Sequence, residues 1–156
     1  MNKPLKTALF SIGIAQSLKI PLKWRKTGRW DWGAFFETGG MPSSHSAGVA
    51  SLATYIAKLK GIKTTDFALA AIFGMIVMYD AQGVRRQAGE LTIKINALEE
   101  EMEHLVGMED RHYHDRKEKR LKEQLGHQPI EVIGGAVLGI SLGLMSYHLF
   151  EKKKKD

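Results

Sequence analysis

Residues 130–150 form a run of 21 in which only Glu131 and His148 can carry charge. At 1.5 Å per residue such a run makes a helix about 30 Å long, the thickness of a bilayer's hydrocarbon core. Three shorter apolar runs precede it, at 7–18, 47–59 and 67–84, the last broken only by Asp80 and Gln82. Lys60, Gly61, Ile62 and Lys63 make a turn between the second and third, which predicts a helical hairpin. The spacing of Gly134, Gly135, Gly139 and Gly143 suits close contact between membrane helices. A mean hydropathy of −0.22 conceals this pattern, because 19 charged residues, of 23 basic and 17 acidic in the chain, crowd into 85–126. The expected fold is therefore all-α: a multi-pass cell-membrane bundle of about four or five helices. It forms one domain over 1–156, with a charged helical insertion at 87–126 between the last two membrane helices.

Composition narrows the chemistry. The absence of cysteine rules out disulfides, thiolate catalysis and cysteine-held zinc or iron–sulfur sites. The formal charge of +6 points to an anionic partner, and a lysine tail directly after the last apolar run suits lipid headgroups better than nucleic acid. Within 19–32, Trp24, Trp30 and Trp32 alternate with Lys19, Lys23, Arg25, Lys26 and Arg29, a composition that belongs at a membrane interface. No cleavage site is evident after 7–18, so that run is expected to remain as an anchor helix. No P-loop or dinucleotide motif is present, and His112 and His114 are two apart, a spacing that does not share a helix face. Neither metal nor cofactor is expected.

Inside the charged segment Leu91, Ile95, Leu98, Met102 and Leu105 alternate at spacings of four and three, an amphipathic helix with a heptad seam. The default expectation is that this seam packs on its own protein. The alternatives are a bilayer surface or a second copy, giving a homo-oligomer through 91–105.

Four polar clusters stand at the ends of apolar helices, where they are costly without a purpose. They are Lys19, the loop 42–46, Asp80 with Arg85 and Arg86, and His127 with Glu131. If the hairpin crosses the membrane twice, all four emerge on one side. A helix N-terminus, arginines and a lysine suit a highly charged oxyanion. Two histidines allow one to attack phosphorus and the other to protonate the leaving oxygen, with Glu131 one turn beyond His127 to orient it. Asp80 is expected to support an arginine. The chemistry implied is metal-free phosphoryl transfer to water.

The segments GGMPSSHSA at 39–47, DAQGVRRQAGE at 80–90 and LGHQPIEV at 125–132 resemble the signatures of the divergent PAP2 family, related to acid phosphatases and vanadium-dependent haloperoxidases. The resemblance implies a phosphatase acting on a phosphorylated lipid. Ser43 and the backbone around Ser44 would bind phosphate, and His45 would protonate the leaving group. Arg85 or Arg86 would supply the arginine and His127 the nucleophile, with Glu131 in place of an aspartate. Lys19 would be the lysine of the first motif, with Lys26 and Thr27 standing where arginine and proline are expected.

Overall fold

The computed structural model describes residues 2–37, 39–106 and 126–152, the side chains of 84, 85, 103–106 and 152 excepted. Helix α1 spans Lys3–Thr27, well beyond the expected 7–18. Hydropathy marks only the apolar middle of this helix, which continues through the basic residues that follow. Pro21 removes one ladder hydrogen bond without ending it. Termination falls to Gly28, at φ +69°, whose N–H donates to the Trp24 carbonyl at 2.8 Å, while Arg25 and Lys26 face the negative end of the dipole.

After a short 3₁₀ turn at Trp32–Phe36, α2 runs Ser44–Lys60, three residues longer at its start than the apolar run 47–59. Small polar residues are absorbed into its first turn, because the Ser43 side chain accepts from the Ser46 N–H and caps it. The hairpin is completed by α3, Thr65–Gln82, capped by Thr64. The expected run to residue 84 stops at Gly83, and α4 follows as Val84–Val106. Hydrogen bonds from Gly83 N–H to Tyr79 O and from Gln87 N–H to Gly83 O carry the ladder across that joint. Helix α5 spans Pro129–Lys152. Residues 107–125, with His112 and His114, and the tail 153–156 lie outside the described residues.

The centre of the bundle is α2, packed against α5, α1 and α3. Helices α2 and α5 run parallel along a seam of small residues. A Cβ at Gly135 would stand 2.2 Å from the Ser43 carbonyl oxygen, one at Gly139 2.3 Å from that of Ala47, and one at Gly143 2.8 Å from that of Ser51. Only glycine permits this approach. Antiparallel to both, α1 brings Lys3 to Glu151 at one end and Lys19 to the other.

Much of the buried apolar surface is alanine, including Ala8, Ala15, Ala47, Ala70 and Ala81, whereas Leu69, Phe73, Ile76, Ile133 and Val137 are exposed. Large apolar side chains outside and small ones inside make a bundle suited to lipid rather than water. Two helical stretches are long and apolar enough to cross a membrane: Thr65–Met102, in which α3 runs on into α4, and Pro129–Glu151 of α5.

The heptad seam departs from its default expectation. Leu91, Ile95, Leu98 and Met102 are all exposed on α4, so among the described residues the bundle does not cover them; the Leu105 side chain lies outside the described set.

Candidate functional site

Because α2 and α5 start at the same end of the bundle, His45 in the first turn of α2 and His127 just before α5 meet there. Their ring centroids are 6.1 Å apart, with the planes inclined at 68°. Backbone hydrogen bonds fix the meeting place. The Ser43 N–H donates to the Glu131 carbonyl at 3.0 Å, joining the serine loop to α5, and the His127 N–H donates to the Ala81 carbonyl at 3.1 Å, joining the α5 approach to the end of α3.

His127 is 2% exposed. Its Nδ1 lies 3.2 Å from Glu131 Oε2, and the same oxygen accepts the Gln128 N–H at 3.1 Å. A carboxylate is only an acceptor, so the bond assigns the imidazole proton to Nδ1 and leaves Nε2 as the acceptor nitrogen. The i, i+4 spacing and the first-turn position of Glu131, at the positive end of α5, both favour this arrangement.

Ser43, Ser44 and Ser46 are buried. The Ser43 hydroxyl accepts from the Ser46 N–H at 3.4 Å and from the Ser46 hydroxyl at 3.0 Å. Both its lone pairs are thereby used, and its own proton is what it can offer an anion. Lys19, 3% exposed, donates to the Glu37 carbonyl at 2.8 Å. One turn on, Lys23 binds the Glu37 carboxylate and, at 2.8 Å, that of Asp31. These two lysines latch the segment 31–37 onto α1 and so set where the serine loop begins. Lys23 and the Gly33 N–H hold the Asp31 carboxyl below its ordinary range. Sequence reasoning missed Glu37, Asp31 and the part played by Lys23; for Lys23 alone a signal was available, its spacing of four from Lys19.

The remaining candidates stand at the end of α3 and the start of α4. Arg86 Nε donates to Glu90 Oε1 at 3.0 Å on the same helix, with both side chains largely exposed. Asp80 is half-buried in the last turn of α3, and the Arg85 side chain is outside the described set. Among the described residues no cluster of three metal-binding side chains occurs.

A family model described as the divergent PAP2 family matches residues 1–142. The uncharacterized membrane protein YuiD of Bacillus subtilis (strain 168) is 43% identical over 153 residues, covering 96% of each chain. No solved structure matches. With the motif order, the paired histidines and a match over most of its length, the chain is a membrane protein that belongs to the divergent PAP2 family.

Proposed function

We propose that the protein is a multi-pass cell-membrane phosphatase that hydrolyses a phosphomonoester or diphosphate of a lipid without a metal. The observation that carries this reading is the approach of His45 to His127, with the latter oriented by Glu131. His127 Nε2 attacks phosphorus, the bond from phosphorus to the lipid oxygen breaks, and His45 gives its proton to that oxygen. Water then attacks phosphorus while His45 takes its proton, the bond from phosphorus to His127 Nε2 breaks with the pair returning to nitrogen, and inorganic phosphate leaves. Lys19, Ser43, Ser44 and the first-turn N–H groups of α2 surround the developing negative charge.

The lipid part of the reading is supported by an apolar groove of about 330 Å³ between α2, α3 and α5, lined by Val49, Ala53, Phe67, Gly74, Met78 and Ile140 among others. It starts one turn past His45, where the tail of a headgroup-bound substrate would lie. Nothing in its lining selects between a prenyl and a glycerophospholipid tail.

A second reading, a non-catalytic membrane protein that holds a phosphorylated lipid or a partner, is favoured by one feature. Arg86 Nε is engaged by Glu90 on the same helix, a local partner that competes with a bound phosphate.

Phosphate release by detergent-purified protein, with EDTA present, over a panel of prenyl, phosphatidyl and glycerophospholipid phosphates separates the two. Release by the wild type and none by His127→Ala is expected. Failure of the folded wild type on every lipid would leave the binding reading.

A further inference from the structure

We propose that α4 pairs with α4 of a second copy of this chain as a parallel two-stranded coiled coil. Beyond Gly83 the helix leaves the bundle with its apolar seam outward: Leu91 is 58% exposed, Ile95 47%, Leu98 61% and Met102 58%. Its buried residues, Gly89 and Asn96, lie on the opposite face. Burial on α4 thus falls on the face opposite the seam, which stays exposed among the described residues.

Two occupants suit an exposed apolar stripe on a helix, a bilayer surface and another helix. Surface-lying helices carry lysine and arginine on their polar face. Between residues 90 and 106 α4 has one lysine and five glutamates, which an anionic bilayer repels. A second helix also fits the register. With Ala88, Ile95 and Met102 at a and Leu91 and Leu98 at d, the β-branched residue stands at a and leucine at d, the choice that favours two strands. Lys94 then falls at g and Glu99 at the e position of the next heptad, so each lysine meets the partner's glutamate in a parallel pair.

Little more than two heptads would be marginal for free peptides. Here α3 holds each copy in the same bilayer and inserts it in the same direction, which raises the effective concentration and makes the pairing parallel. The inference needs the membrane placement but not the phosphatase chemistry.

The chain has no cysteine, so single cysteines can be introduced into full-length protein and oxidised in its native membrane. Leu91→Cys and Leu98→Cys are expected to give disulfide-linked dimers, and Ala97→Cys, at c, none. Lys94→Glu in the Leu98→Cys background should abolish the crosslink, and adding Glu99→Lys should restore it. Crosslinking at 97 equal to that at 98, none at 91 and 98, or indifference to both charge changes would overturn the proposal. Protection of position 98 from aqueous thiol reagents without a crosslink would assign the seam to the bilayer instead.

Discussion

The two histidines of the candidate site stand in different surroundings, and the proposed mechanism gives each a distinct task. The Nδ1 contact with Glu131 commits His127 to one tautomer, whereas His45 stands on the first turn of α2, where developing negative charge is stabilised. Loss of His45 should therefore depend on the leaving group. A lipid alkoxide needs a proton as it departs and a nitrophenolate does not, so His45→Ala is expected to lose about 10²–10⁴-fold in kcat on a lipid phosphate and far less on an aryl phosphate. Equal losses on both would remove His45 from the acid role. The pairing of His127 with Glu131 was legible in the sequence, because four residues is one helical turn. The Glu90 partner of Arg86 was missed, since the expected support was Asp80, although Glu90 is also four residues on and a local partner on the same helix competes with a distant anion. Glu37 was not legible: its two lysines lie 18 and 14 residues away, and only the folded loop brings them together.

At the level of elements, the seam between α2 and α5 positions His45 and His127. The two helices stay in register only while carbonyl oxygens of Ser43, Ala47 and Ser51 can rest against glycine. Gly139→Ala would force its Cβ against the Ala47 carbonyl, and overpacking of this kind costs about 1–3 kcal/mol. Gly134 is the comparison, since its Cβ would meet only the flexible Cε of Met41 at 2.9 Å. Thermal unfolding in detergent should show Gly139→Ala destabilised and Gly134→Ala close to wild type; equal melting would mean that the helices do not approach along this seam. The glycine spacing announced close packing in the sequence, and the hairpin 47–84 followed from its turn. The true ends of α1 and α2 did not, because they depend on caps and on polar residues that helices accept where hydropathy sees a break.

For the whole molecule, alternation of direction gathers the site. If α1, α2, α3 and α5 each cross, the turn at 61–64 lies on the side opposite to the loop 28–43, the α3–α4 joint and the approach to α5. Contacts at the far end agree with that sorting: Glu151 accepts from Lys3 and from Tyr55, both at 2.9 Å, binding the start of α1 and the middle of the bundle to the end of α5. This polar latch leaves the other end to the histidines. The topological part of the argument was available from apolar runs alone, while the insertion's relation to the bundle was not, because a charged amphipathic helix has several ways to satisfy its seam. Crossing can be tested directly in a cysteine-free chain. In sealed vesicles of uniform orientation, an impermeant maleimide should label Arg29→Cys from one side and Lys63→Cys only from the other, both positions being exposed. Labelling of both from the same side would mean that α2 does not cross, and the histidine site would then have to be assembled by a bundle lying on the membrane rather than through it.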